Sequence, residues 1–451
     1  MRPSKRLLLL FGLWWLLALA LIALRLAMPQ HAAPFAALWW ASGAVLVMVA
    51  MWDAYERAPA ATIDVVRSLP ENLALNVRNE AHLVLRNLGP RPVRLEVADD
   101  PPVHIDIPEL PVQLTLAPGE QARVNYRVLP RRRGDARFGP VWLRRHSPLG
   151  LWEARSRPGD ECSVKVFPNF VAASRLAGMG LEREMGAIGV HLQQRRGDGM
   201  DFHQLREFRT GDSLRQIDWK ATARYRKPIS REYQDERDQD ILFLLDCGRR
   251  MRARDAELSH FDHALNALLL TAQVGLRQGD GVGLLTFAAA ERGAHCCDGT
   301  RWLAPIKGHT ALNRLIHQVY DLHSSTTASD YLEAAQGLLE RHRKRAMVIL
   351  VTNVREEDAD DLHAATTLLA RRHRVVVASL REQALDERIA APLQVLDDTL
   401  ACLGTLDYLG ARERLLQQLR QRGLSVIDTL PQQLHVELVA EYLRLKRSNA
   451  L

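Results

Sequence analysis

Between residues 205 and 237 the chain gathers the residue types that build a polar recognition surface. Arg206, Gly211, Asp212, Arg215, Asp218, Trp219, Arg224, Arg231 and Glu232 follow one another in an order that neither a helical nor a strand period requires. The chemistry open to such a set is ion pairing around an aromatic, which either pins an irregular segment across the next domain or docks a partner. On that reading Trp219 buries itself, Gly211 serves a turn, and Asp212, Arg215, Asp218 and Arg224 lock one another. Catalysis is not expected there, because no histidine, cysteine or serine stands beside a matching base and orienter. His203, His260 and His263, with Asp262, are the types of a hydrolase or metal site, yet helical spacing alone explains His260 and His263. The sequence contains neither a nucleophile elbow nor a His-Glu-x-x-His motif. It also lacks a Gly-x-x-x-x-Gly-Lys-Ser/Thr phosphate loop, so any nucleotide hydrolysis must come from another protein.

The five cysteines, Cys162, Cys247, Cys296, Cys297 and Cys402, are scattered without a Cys-x-x-Cys spacing. That argues against zinc and against a redox pair, and free thiols suit a reducing compartment. Lys+Arg number 60 against 53 Asp+Glu, a surplus of seven. Its densest clusters, at residues 131–133, 341–345 and 371–374, are separate and short, so they read as solvated turns and helix ends and not as a nucleic-acid stripe.

A length of 451 residues exceeds one compact core, and the pattern divides into four stretches: 1–58, 59–170, 171–238 and 239–451. In the first, residues 7–24 and 35–52 are uncharged apolar runs long enough to cross a bilayer as a two-helix hairpin. Arg2, Lys5 and Arg6 precede the first run while the connecting loop offers only Arg25, so the positive-inside bias places both ends and the soluble part in the cytoplasm. A cleaved signal peptide is the competing reading, opposed by the second apolar run a dozen residues on. Trp39, Trp40 and Trp52 suit interfacial anchors; Trp14 and Trp15 fall too near mid-span for that role.

Residues 73–77, 82–86, 93–97, 113–116 and 122–128 alternate apolar and polar side chains, with turn signals at 87–90, 117–120 and 133–135. This is the pattern of a small immunoglobulin-like β-sandwich, a binding or spacer module by shape. Glycines at 178, 180, 186, 189, 197 and 199 break the connector that follows. Beyond residue 239, strands at 241–246, 281–287, 347–354, 375–380 and 425–429 alternate with helices at 260–276, 310–322, 331–342, 358–372 and 408–422 and a last helix to about 446. Alternation of this kind predicts a doubly wound α/β domain, a parallel sheet covered on both faces with ligand sites at the strand carboxyl ends.

The segment Leu205-Arg-Glu-Phe-Arg-Thr-Gly-Asp-Ser-Leu-Arg-Gln-Ile-Asp-Trp-Lys-Ala-Thr-Ala-Arg224 resembles the hallmark Leu-Arg-x-Tyr-x-x-Gly-Asp-x-x-Arg-x-Ile-Asp-Trp-x-x-x-Ala-Arg of the family catalogued as domain of unknown function 58. The likeness runs from about residue 199 to the terminus, closing on residues 441–446. It implies that the C-terminal domain is von Willebrand factor A-like. In that fold an Asp-x-Ser-x-Ser at the end of the first strand, a later Ser or Thr and a further aspartate cup a magnesium ion with hard oxygen ligands. Carried over residue by residue, the positions are Asp246, Gly248, Arg250, Ser329 and Asn353, so two hydroxyls and one carboxylate are replaced. A guanidinium about 5 Å from a divalent ion repels it by roughly 6–7 kcal/mol at an effective dielectric near 20, more than the ~4 kcal/mol of millimolar binding. Magnesium is therefore not expected unless Arg250 points away. The alternatives are that Arg250 or Arg249 grips an acidic group of a partner, or that Arg250 pairs with Asp246 in a vestigial site. The resemblance further implies a MoxR-type AAA+ ATPase as partner. The expectation is a non-enzymatic adaptor of the inner (cytoplasmic) membrane acting in protein maturation or remodelling. A structural or sensory envelope protein without an ATPase partner is the alternative, and a hydrolase the third.

Overall fold

The structure is a computed structural model that describes residues 2–27, 32–55, 63–169, 201–209, 217–234, 239–255, 258–289 and 300–448. The connector glycines, Gly211, Asp212, Arg215, Cys296 and Cys297 lie outside the described residues. The chain forms two compact units, Met1–Phe167 and Pro168–Leu451.

The first unit begins with two apolar helices, Lys5–Ala27 and Ala32–Tyr55. Twenty-three residues at about 1.5 Å each exceed the ~30 Å of a bilayer core. Both helices are long and apolar enough to cross a membrane. Trp14 and Trp39 join them: their rings stack 4.1 Å apart, and each indole N–H donates to the other residue's carbonyl, at 3.2 and 3.0 Å. The mid-span tryptophan is thus a helix–helix contact. Gly43 makes room for it, because a Cβ there would overlap the Trp14 ring. At the end of the second helix the buried Asp53 carboxylate accepts from the Ser147 hydroxyl and from the Leu149 and Leu151 N–H groups, fastening the helix to a turn of the β-module.

That module has two sheets. One aligns Ile63–Ser68, Asn79–Asn87, Gln121–Pro130 and Ile105–Asp106; the other centres on the long strand Gly134–His146, flanked by Val93–Asp100, Trp152–Ser156 and Cys162–Phe167. Inward residues such as Leu83, Leu85, Leu95, Val97, Phe138, Leu143 and Val166 alternate with exposed ones, so each strand contributes one face to the core. The first predicted strand is shorter than its pattern, because Asn76 takes a positive φ of 53° two residues beyond Ala74.

The second unit carries a six-stranded sheet, built from β1 (Asp240–Asp246), β2 (Gly281–Phe287), β3 (Trp302–Ile306), β4 (Met347–Thr352), β5 (Arg374–Leu380) and β6 (Ser425–Thr429) in the spatial order β3-β2-β1-β4-β5-β6. All neighbours are parallel except the edge strand β3, which pairs antiparallel with β2. The wholly parallel sheet expected from the sequence is corrected at this edge. Among the described residues the helices that accompany this sheet are α1 (His260–Arg277), α2 (His309–Val319), α3 (Tyr331–Arg341), α4 (Ala359–Ala370), α5 (Gln383–Ala390), α6 (Leu396–Gln421) and α7 (Leu434–Arg447). Because side chains along β1 alternate, Ile241, Phe243 and Leu245 pack with α1, α2 and α7, whereas Leu242 and Leu244 pack with α3, α4 and α6. The central strands are buried on both faces, as a two-sided cover requires.

Candidate functional site

The strand order reverses between β1 and β4, since the chain leaves β1 toward β2 and β3 and then returns to β4 on the other side. In an open α/β sheet the carboxyl ends at such a switch point flank the natural ligand crevice. Asp246 ends β1 and Thr352 ends β4, and both are fully buried there.

Asp246 is the centre of a closed set of hydrogen bonds. Its Oδ1 accepts from the Gly248 N–H at 2.7 Å and from the Ser329 hydroxyl at 2.7 Å, and its Oδ2 accepts from the Thr352 hydroxyl at 2.6 Å. The Tyr331 hydroxyl, 2.9 Å from Thr352 Oγ1, completes a relay of hydroxyls toward the carboxylate. Burial pushes the Asp246 carboxyl above its usual range, against the lowering effect of those three bonds and of the nearby Arg250 charge. Burial, with the Asp246 charge, likewise pushes the Tyr331 phenol up.

Ser329 reaches Asp246 because its loop is held to the strand ends. The Arg249 N–H donates to the Thr327 carbonyl at 2.9 Å, and the Ser325 N–H donates to the Cys247 carbonyl at 2.6 Å. Gly248 is required by the same packing. Its φ of −75° suits any residue, but a Cβ there would overlap Ser329 Oγ and lie 3.0 Å from Asp246 Oδ1.

The structure divides the remaining candidate positions. Arg250, buried in the short 3-10 turn after β1, donates from its guanidinium to Glu357 at 2.8 Å and pairs with Asp358. The alternative in which Arg250 pairs with Asp246 is therefore corrected: two carboxylates ahead of α4 hold the guanidinium, while Asp246 accepts its three hydrogen bonds from other groups. Asn353 is corrected too. A strand's period of two turns it away from Asp246, and its amide donates to Glu382 at 2.8 Å while its carbonyl accepts from Arg412 at 3.0 Å. Thr352, one residue earlier, is the group on β4 that faces Asp246.

Arg412 forms a second buried centre at the same sheet edge. It is 1% exposed, and its terminal nitrogens also donate to the carbonyls of Val354 and Leu380, to the Ser379 hydroxyl and to Asp428 at 2.7 Å. Burial opposes its charge, and Asp428 outweighs that, so its pKa rises. One α6 side chain thereby ties together the ends of β4, β5 and β6.

In the polar segment, strands Asp201–Glu207 and Ile229–Gln234 pair as an antiparallel ribbon that brings Arg231 opposite Leu205, Glu232 opposite Gln204, and Arg206 opposite Ser230. Asp218 caps the short helix Trp219–Tyr225 by accepting from the Ala221 N–H at 2.9 Å. Trp219 is 71% exposed, which overturns its expected burial: it opens the helix directly after the cap and faces outward. The Arg224 guanidinium lies 5.9 Å over the Tyr225 ring.

The histidine candidates serve structure where their side chains are described. Ser259 and Asp262 form the capping box of α1, and His260 lies buried with Nε2 3.0 Å from Asp255. Burial lowers His263 to about 4. Among the described residues, no group of three or more His, Cys, Asp or Glu side chains is placed to hold a metal ion.

Comparison with known proteins places a family model, described as a protein of unknown function, DUF58, over residues 204–398. No curated protein matches the chain. Solved structures with similarity include native α2-macroglobulin from Escherichia coli, spanning domain MG7 to the C-terminus, at 21% identity, 25% of this chain, 17% of that chain and a TM-score of 0.21. The ASH/PapD-like domain 7 of human CEP192 has 16% identity over 24% of this chain and 88% of that chain, with a TM-score of 0.19. The CARDB domain of a Pyrococcus furiosus protein, in complex with di-metal ions, has 17% identity over 23% and 86%, with a TM-score of 0.18. The chain thus spans under a fifth of the macroglobulin it matches.

Proposed function

We propose that this chain is a membrane-anchored, non-enzymatic interaction protein whose C-terminal domain, of von Willebrand A type, acts as an adaptor for a MoxR-type AAA+ ATPase in maturing or remodelling other proteins. The observation that carries the non-catalytic part is the switch-point crevice. Its central carboxylate, Asp246, already accepts from Gly248, Ser329 and Thr352, and no nucleophile with a base and an orienter stands beside it among the described residues. The A-type reading draws support from the sheet order, with its reversal between β1 and β4, and from Asp246 and Ser329 meeting at that reversal.

The residues present do not fit magnesium. Two hydroxyls donate to a single carboxylate, Gly248 supplies no ligand and has no space for one, and Asn353 is engaged by Glu382 and Arg412. With Arg250 held by Glu357 and Asp358, the exposed Arg249 beside it is the better candidate to meet an acidic partner. The partner class rests on the family resemblance. The two apolar helices support the anchor, and Arg2, Lys5 and Arg6 at and just before the start of the first helix support a cytoplasmic soluble part.

The test is a detergent pull-down of the tagged full-length protein from its own host, with ATP and with ADP. Nucleotide-dependent recovery of an AAA+ ATPase is the expected result. Recovery of envelope proteins without any ATPase in either state would refute the adaptor and leave a structural or sensory role.

A further inference from the structure

The first half of α6 stands on the domain without a core of its own. Between Leu396 and Gly410 only Thr405 is buried, and the regular buried face starts at Ala411. Leu396, Leu400, Leu403 and Leu406 recur at spacings of four and three, so they line one side of the helix. They are 72, 58, 57 and 49% exposed, and the exposed Leu393 and Val395 extend the stripe before the helix begins. Exposed leucines scattered singly are ordinary, whereas a contiguous row rimmed by charge marks a contact surface. The rim is acidic: residues 383–410 hold Asp386, Glu387, Asp397, Asp398 and Asp407 against the single base Arg388, in a chain whose net charge is +7.

The complementary surface lies elsewhere on the same domain. A groove between α3 and α4 has Leu332, Gln336, Ala364 and Leu368 along it, with Arg371 and Arg422 among its lining. Helices that cover a parallel sheet run back against the strands, so α3, α4 and α6 all finish at the amino edge of the sheet. Their last turns and the loops beyond bring Arg341, Arg343, Arg345, Arg372 and Arg420 to that edge. Among the described residues no ion pair engages Arg371 or Arg422. The lengths agree as well: residues 396–406 rise about 15 Å, and α4 is about 18 Å long.

We propose that copies of this chain associate head to tail, the acidic leucine stripe of α6 in one copy lying as a helix in the basic-rimmed α3–α4 groove of the next. Apolar anchors at i, i+4 and i+7 seated in a groove are a recurrent recognition mode, and charge of opposite sign at the rim sets orientation and partner choice. The two surfaces differ, so the contact is heterologous. It builds rings or open chains and does not close as a two-fold dimer.

The test uses the full-length protein in detergent and two variants at exposed positions, one carrying Leu400→Asp with Leu403→Asp, the other Arg371→Asp with Arg422→Asp. Sedimentation of the unchanged protein should show species growing with concentration past the dimer and weakening as salt rises toward ~1 M. Each variant alone should lose association by about tenfold or more. Mixed, the two variants should form a one-to-one complex and nothing larger, because only one productive contact remains. Gln336→Cys in the groove should cross-link to the native Cys402 of another copy through a short bis-maleimide. A wild-type protein that stays monomeric overturns the proposal, as does a variant that associates like wild type or a mixture that forms no complex. Loss in the leucine variant alone, with the arginine variant unchanged, overturns the assignment of the groove. Both variants retain the apolar hairpin, so association through that hairpin would persist in both and count against the proposal.

Discussion

Gly248→Ala tests whether the crevice is closed by packing. The substitution changes no backbone preference at φ −75°, so its effect is steric. The added methyl would overlap Ser329 Oγ and meet Asp246 Oδ1 at 3.0 Å and the Thr327 carbonyl at 3.1 Å. The first contact must move, and the only easy movement breaks the 2.7 Å hydrogen bond from Ser329 to a buried carboxylate. Overpacking of this kind costs about 1–3 kcal/mol. Ser329→Ala alone removes a hydrogen bond to a charged acceptor, a loss of about 1.5–3 kcal/mol. In the double variant the methyl added at position 248 takes the space the hydroxyl has left, so the combined loss should fall short of the sum by ~1 kcal/mol or more. The assay is denaturant unfolding of the full-length protein in detergent, following the tryptophan emission of a variant in which the other eight tryptophans are replaced by phenylalanine, so that Trp302 on β3 reports alone. A neutral Gly248→Ala, or losses that simply add, would refute the picture of Ser329 filling the missing side chain's place.

Arg412→Met should destabilise the second unit by about 3–5 kcal/mol, because it strands Asp428 and four other acceptors at a buried edge. Arg412→Lys should recover only part, since one ammonium cannot span the ends of three strands, and thermal unfolding distinguishes the two. Stability should also fall as pH drops from about 6.5 toward 4. Burial lowers His263 and His373 to about 4, so the folded state holds both neutral where the unfolded chain protonates them. The stabilisation is fully present above 6.5 and is lost on descending through that window; His373→Gln should flatten the pH profile, and an unchanged profile refutes the assignment. Arg249→Glu should reduce ATPase recovery in the pull-down while leaving the unfolding transition in place. Arg250→Gln should instead lower the transition by about 1–2 kcal/mol, the buried-pair figure reduced because Glu357 is largely exposed. The opposite pattern would return the recognition role to Arg250.

The strands legible in the sequence were those with a clean apolar pattern, β1 and β2 buried on both faces and the edge strand β6 alternating buried and half-buried residues. The run ending in Asp246 and the strands β2 and β6 are continuous or alternating apolar stretches bounded by polar residues or glycine, and the structure places them within a residue of their predicted ends. The edge strand β3 escaped because Pro305 interrupts it and its residues are only partly buried, so its pattern carries no two-sided apolar run. The first twelve residues of α6 escaped as well: their leucines have the helical period, but they are interleaved with small and acidic residues and face solvent, so the predicted helix covered only the half that reaches the core. At the site, Asp246 and Ser329 were found from position in a motif. Thr352 was not, since choosing between it and Asn353 requires the phase of the strand at its last residue. Nor could the sequence show that the partners of Arg250 lie over a hundred residues downstream, or that Trp219 opens a capped helix with its ring outward.

The two buried centres at the carboxyl edge bear on where recognition can occur. A crevice prepared for a ligand leaves donors and acceptors to be completed by it, and a preorganised site gains affinity because it need not first break its own bonds. Here the Asp246 oxygens take three internal donors, and the terminal nitrogens of Arg412 reach five acceptors on three strands. A ligand entering either centre would have to displace bonds to buried charged groups, each worth about 1.5–3 kcal/mol, before gaining any of its own. Among the described residues, surfaces that need no such displacement include the exposed Arg249, the exposed Trp219 and the leucine stripe of α6. Under the proposed adaptor role, a domain whose two buried centres are bonded internally would meet other proteins through the exposed apolar and charged faces of its helices and loops.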